Sequence, residues 1–383
     1  MLVRAAICLV AAVAVATWLD ATTVAAPQGG PVVRPAVSAG GYIYISTIRP
    51  TSTDGDIAAQ TRDVFGQLKA TLEANQSSMG QLCHIQVSLR KADDFAAMNT
   101  AYAELIGDAP PARTTFVSWL RGSTLIEISA VAVPNGATRE ALNPAGWAKN
   151  PRPYSYIVRT DDLVFFAGLV SRKGTDDSVV KGNAKAQTMT ILDNVGTLLE
   201  TVELTYDNIV SARVYLSSPY DFTDVNSIYG DYFQKEPPAR ATAVAELTNN
   251  DNTVEITMVA SRRPKTVIGG TAGNGFPVSL AIAEGPRVWL SAVIGDTDKH
   301  TKNIADQTRD AFGHFKTTLG DAGLDLSHIV DTTVYLPDAF ELPQVDKVYR
   351  ELFPLDPPAR AAIPSRLVVD PAMIEVLALA VRK

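Results

Sequence analysis

Three arginines and three glutamates recur in one frame along this chain. Pro-Pro-Ala-Arg ends at Arg113, Arg240 and Arg360, and an alternating apolar segment after each carries Glu127, Glu255 or Glu375. The arginines stand 127 and 120 residues apart, and the gaps from Arg to Glu are 14, 15 and 15. A guanidinium is a planar fork that matches a carboxylate with two parallel hydrogen bonds. A carboxylate within reach of a bound water acts as a general base or proton shuttle. The pair therefore offers an anchor for a small acid with a proton carrier beside it. A structural reading stands next to this one: a solvated or salt-bridged arginine, and a glutamate that is exposed or is its partner in an ion pair of little net stability.

A frame repeated three times implies one small domain written three times. Four landmarks position the arginine and the glutamate in each copy. A strand-like run rich in Tyr, Ile, Val, Phe and Trp comes first, at 42–46, 163–167 and 287–291. A long amphipathic helix follows, marked by Gln60-Thr61, Gln187-Thr188 and Gln307-Thr308. Its apolar residues recur every four positions (Val64, Leu68 and Leu72; Ile191, Val195 and Leu199; Ala311, Phe315 and Leu319), so one face must be buried against a sheet. Next come a strand at 84–89, 209–216 or 329–336 and a helix at 95–102, 222–229 or 340–349. Asn99 and Asn226 stand three residues before the closing tyrosine as braces for the neighbouring loop, and Asp346 takes that place in copy three. Last, the Pro-Pro-Ala-Arg turn delivers Arg from an extended entry into terminal strands at 126–133, 254–260 and 374–381. Each copy reads β-β-α-β-α-β-β, an α+β unit with both helices on one face of its sheet. Linkers are expected at 134–147 and 264–275.

At 383 residues, 46% apolar and 20% charged, the composition is that of a soluble globular protein with three domains of ordinary size. The net charge of −7 repels phosphate backbones, which argues against nucleic acid as a partner and against ribonuclease activity. Residues 1–25 read as an export signal: Arg4 in a short basic flank, an uncharged apolar run at 5–19, and Thr23-Val24-Ala25 before the cleavage point. The run is short for a membrane span, so a periplasmic or extracellular protein without stable membrane insertion is expected. Cys83 is then the single cysteine of the mature chain, a small buried residue that excludes an internal disulfide. His84, His300, His314 and His328 lack ligand spacing, so no metal is expected.

The Gln-Thr helix, the Val-Tyr-Leu strand with Asp221-Phe222-x-x-Val225-Asn226-x-x-Tyr229 after it, and Pro-Pro-Ala-Arg followed by Ile/Val-Glu-Ile/Val resemble the Rid family. These are the reactive intermediate deaminases, also called YjgF-type proteins. The resemblance covers 35–134, 151–262 and 276–383 as three tandem units. It implies a chorismate-mutase-like fold and, because family members are homotrimers with clefts between subunits, a monomeric single-chain pseudo-trimer. It also implies hydrolysis of 2-imino or enamine acids to 2-keto acids and ammonia, as by a 2-iminobutanoate/2-iminopropanoate deaminase, without a cofactor. On this likeness Arg113, Arg240 and Arg360 grip the substrate carboxylate, and Glu127, Glu255 and Glu375 handle the attacking water.

The small residue two places after each arginine becomes Thr115, Thr242 or Ala362. Only copy two keeps the Pro153-Tyr154-Ser155 segment, which adds Tyr154 as a wall; Val33 and Val278 replace the tyrosine elsewhere. The Ser-Gly pair of the family reads Ser46-Thr47, Ala167-Gly168 and Ser291-Ala292, so no copy keeps the whole set. Two further readings remain open: a non-catalytic binding module for small carboxylates, and a structural or interaction protein with relic clefts.

Overall fold

The terminal strand of every unit runs through the middle of its sheet and is buried on both sides, and that placement decides where the glutamates lie. The computed structural model describes residues 32–273 and 275–383; the expected export signal lies outside them. Unit one runs β1 (Ala36–Ala39), β2 (Tyr42–Ile48), α1 (Ile57–Ala74), β3 (Leu82–Leu89), α2 (Phe95–Ile106), β4 (Ala112–Val117) and β5 (Ile126–Ala132). Its sheet order is β1-β2-β5-β3-β4, in which β3 and β4 are parallel and the other neighbours antiparallel. This is the expected β-β-α-β-α-β-β layout.

The segment at 134–147 is more than a linker. It contains β6 (Arg139–Leu142), which pairs with β7 (Ile157–Thr160) as an edge strand of unit two. That unit continues with β8 (Leu163–Phe166), β9 (Leu169–Val170), α3 (Ala184–Thr201), β10 (Ile209–Leu216), α4 (Phe222–Tyr232), β11 (Ala239–Val244), β12 (Glu246–Leu247) and β13 (Val254–Ser261). The segment at 264–275 likewise contributes β14 (Lys265–Thr271), paired with β15 (Ser279–Glu284). Unit three then runs β16 (Arg287–Ile294), α5 (Ile304–Asp321), β17 (Ile329–Leu336), α6 (Leu342–Leu352), β18 (Ala359–Pro364), β19 (Arg366–Leu367) and β20 (Glu375–Val381). Glycines and prolines mark these segments as turns, but the residues between the turns still satisfy their backbone groups by pairing with the next unit.

Helices cover one face of each sheet. In unit one Val64, Phe65, Leu68 and Leu72 of α1 pack on Ile43, Ile85 and Ile128. Asp56, Asn183 and Asn303 cap α1, α3 and α5 by accepting a backbone N–H of the first turn. The opposite faces meet one another. Tyr42, Tyr44, Phe165, Trp289 and Leu379, drawn from all three units, share one cluster. The Tyr215 hydroxyl donates to Gln86 Oε1 (3.0 Å) and lies 3.3 Å from the Tyr335 hydroxyl, joining three equivalent strands near the centre. Two-residue strands stitch neighbours together: β12 of unit two pairs with β4 of unit one, and β19 of unit three with β11 of unit two. The ring closes where the Arg360 and Ala362 N–H groups donate to Ser46 Oγ (2.9 Å) and Thr47 Oγ1 (3.1 Å) of unit one.

Candidate functional site

Register makes the three copies superimposable. Arg113 faces Ile85, Arg240 faces Ala212 and Arg360 faces Thr332 across the parallel pairs. Glu127, Glu255 and Glu375 sit opposite Ser88, Tyr215 and Tyr335. Within one unit a whole strand separates Arg from Glu, and Arg113 and Arg240 each meet the glutamate of the next unit instead. Arg113 and Glu255 line one cavity, and Arg240 and Glu375 another.

The repeated glutamine of each long helix fixes the height of the glutamate. Gln60 Oε1 accepts the N–H of Leu125, Gln187 that of Thr253 and Gln307 that of Met373, each 2.8 Å away and each two residues before the glutamate. The adjacent threonines bond back into their own helix. Gln187→Ala removes the side-chain partner of the half-buried Thr253 N–H and of the Asp251 carbonyl. Water can reach the exposed carbonyl, so the loss should be about 1 kcal/mol, and the variant is expected to melt slightly earlier, as calorimetry would show.

The first cleft, of about 190 Å³, is lined by Phe95, Arg113 and Thr115 from unit one and by Tyr154, Gly168 and Glu255 from unit two. Arg113 is 2% exposed, and all three of its guanidinium nitrogens are buried without a hydrogen-bond partner among the described residues. Aromatic faces hold it instead, with Tyr102 at 4.7 Å, Tyr154 at 5.1 Å and Phe95 at 5.7 Å from the guanidinium carbon. Tyr154 arrives there because Ser155 docks on the Pro-Pro turn of unit one, its N–H on the Pro111 carbonyl (3.0 Å) and its hydroxyl on that of Pro110 (2.7 Å). Burial pushes the Glu255 carboxyl up to about 8, against the opposing pull of the Thr115 N–H and of Arg113. A Cβ at Gly168 would overlap Glu255 Oε1, so glycine there is what lets the carboxyl occupy its place.

The second cleft, about 200 Å³, repeats the plan with changes. The Thr242 N–H donates to Glu375 Oε1 at 3.4 Å, and burial raises that carboxyl to about 7. Arg240 gives one nitrogen to Asn226 Oδ1 (2.6 Å) and keeps another buried with no partner among the described residues. Val278, at the tyrosine position, and Phe222 contribute walls. Asn226 thus braces the arginine rather than a loop.

The third junction pairs its charges with local partners, while Arg360 Nη1 stays buried without a hydrogen-bond partner among the described residues. Arg360 pairs with Asp346 (2.6 Å), and Glu127 with Arg49 (2.8 Å). Thr47, in the place of Gly168, puts its hydroxyl on the Ala362 N–H, whose counterparts in the other clefts serve the glutamate. Burial still raises the Glu127 carboxyl, with Arg49 opposing. The ion-pair alternative therefore fails in the form expected. Among the described residues no cleft arginine pairs with a cleft glutamate, and the pairs at the third junction use other partners.

These three copies correspond to a known unit. A family model described as Endoribonuclease L-PSP matches residues 23–134, 148–262 and 277–382. The chain belongs to this family, three times over. A stretch of about one unit's length matches most of the length of curated relatives. A RutC family protein of Sulfurisphaera tokodaii is 29% identical over 125 residues, 33% of this chain and 95% of the relative. A 2-iminobutanoate/2-iminopropanoate deaminase of Bos taurus is 31% identical over 114 residues, 30% of this chain and 83% of the relative. Among solved structures, a chorismatase shares the fold over 79% of this chain and 93% of its own, at TM-score 0.55 and 17% identity. The Rid resemblance read from the sequence holds in every unit.

Other lining residues escaped the sequence reading. The tyrosine beneath each arginine (Tyr102, Tyr229 and Tyr349, at 4.7, 4.8 and 4.5 Å) was visible as the residue closing each second helix, always 11 positions before Arg. Arg152, Arg172 and Asn252 of the first cleft carried no such signal, because they belong to one copy only.

Proposed function

We propose that the chain hydrolyses 2-imino acids to 2-keto acids and ammonia, with the Arg113–Glu255 cleft as its main site and the Arg240–Glu375 cleft as a second. The observation that carries this is Arg113. A buried guanidinium with no hydrogen-bond partner is costly to keep, and a small carboxylate entering the cavity supplies the missing acceptors. Glu255 then faces the imine. As the neutral acid it gives its proton to the imine nitrogen, and the carboxylate so formed takes a proton from the water whose oxygen bonds to the imine carbon. The resulting carbinolamine loses ammonia as its hydroxyl proton passes to nitrogen, leaving the keto acid. The cavity volume suits a small acid rather than a polynucleotide, and the net charge of −7 opposes RNA.

The test is ammonia release from 2-imino acids generated in situ by an amino-acid oxidase, with and without the purified chain. Acceleration that Arg113→Ala and Arg240→Ala together abolish supports the reading. A rate equal to buffer, with 2-keto acids still binding, turns the protein into a carboxylate-binding module. Export, expected from residues 1–25, would place either activity outside the cytoplasm.

A further inference from the structure

The two open clefts share arginine, phenylalanine, threonine and glutamate and differ in the wall beyond them. In the first, Arg152 and Arg172 join Arg113 in the lining, with Thr248 and Asn249. Both added arginines lean on one carboxylate. Arg152 Nη2 lies 2.5 Å and Arg172 Nη1 3.1 Å from Asp177, on separate oxygens. Two cations sharing one anion leave a positive charge unspent, and Arg152 Nε is buried without a hydrogen-bond partner among the described residues.

Counted in the same frame, the second cleft replaces Arg152 by Phe276, Thr248 by Val368 and Asn249 by Val369. Ala292 and Ile294 extend the apolar wall. A charge placed against that wall would lose its water without compensation. An apolar side chain in the first cleft would leave Arg152 unpaired, and a site built around polar groups rejects a ligand that lacks their partner.

We propose that the clefts take different acids: the Arg113 cleft an imino or keto acid with a second acidic group on its side chain, the Arg240 cleft one with an apolar side chain. The proposal refines the substrate of the imine-hydrolysis reading, yet it concerns recognition and can be tested without turnover.

Calorimetric titration of the full chain with 2-oxoglutarate and with 4-methyl-2-oxopentanoate should give one site for each, filled independently. Arg152→Ala should weaken 2-oxoglutarate about tenfold or more, as loss of a charged hydrogen bond does, and leave 4-methyl-2-oxopentanoate unchanged. Arg152→Lys should recover part of the loss. Phe276→Arg should create a second 2-oxoglutarate site, which keeps the proposal testable if Arg152→Ala does not fold. Mutual displacement of the two acids, or indifference of 2-oxoglutarate to both Arg152→Ala and Phe276→Arg, overturns it. If the binding pattern holds while imines of glutamate and leucine are hydrolysed no faster than in buffer, the enzymatic reading falls and this one stands.

Discussion

Replacing Glu255 and Glu375 together by Gln should lower imine hydrolysis by about 10²–10⁴-fold, the usual worth of a positioned acid–base group, while 2-keto acid binding survives. The amide keeps the shape of each side chain but cannot pass a proton in either direction. Glu127→Gln should leave the rate unchanged, because Arg49 already holds that carboxylate away from chemistry. The pH profile separates mechanism from packing. With Glu255 near 8 and Glu375 near 7, the acid forms dominate at pH 6, and kcat should decline as pH rises from 7 to 9. Stability moves the same way. Both folded values lie above the ordinary 4.5, so the folded chain holds protons that the unfolded chain has released. Their contribution to stability is complete below 4.5 and is lost as pH rises through 7 and then 8. The melting temperature should therefore fall between pH 5 and pH 9, and fall less in the double Gln variant. A variant that keeps the parent's rate, or the parent's full loss of stability with pH, would show that these carboxyls neither carry protons nor sit neutral.

The frame of the site was legible because repetition amplified it. A single Pro-Pro-Ala-Arg says little; three, each followed by one carboxylate in an alternating strand, fix both the repeat and the register. That Arg and Glu of one unit lie on opposite sides of β3, and so must pair across units, needed the sheet order, because spacing alone does not say which strand lies between. The strands inside the two linkers were hidden by their own turn residues, since Gly and Pro at the ends of β14 outweigh the short apolar stretch between them. The fate of the third junction was half visible. Asp346 in place of asparagine could be read, but Arg49 acts on Glu127 only because β2 and β5 are neighbours. Arg152 was the least legible, being a cation in a Pro-rich segment that only the docking of Ser155 on the preceding unit carries to Arg113.

Arg113 should be a residue whose removal harms binding and helps the fold. Arg113→Met keeps most of the side-chain length among Tyr102, Tyr154 and Phe95 and deletes a charge that has no hydrogen-bond acceptor among the described residues. Aromatic faces return about 0.5–2 kcal/mol for such a cation, whereas burying an ion without a counter-charge costs several kcal/mol even after relaxation. Desolvation wins, so the variant should melt higher than the parent while its affinity for a 2-keto acid of the first cleft drops by roughly 1.5–3 kcal/mol, the worth of a charge-assisted hydrogen bond. Arg360→Met should do the opposite. It strands Asp346, whose side chain is 25% exposed, so the loss should be about 1–3 kcal/mol of stability, below that of a fully buried broken pair, with no change in ligand binding. The two substitutions are chemically identical and occupy the same register, so the difference between them isolates what the cavity is for. A fall in melting temperature for both would mean that Arg113 is held for the fold, and would remove the main reason to expect an acid in the first cleft.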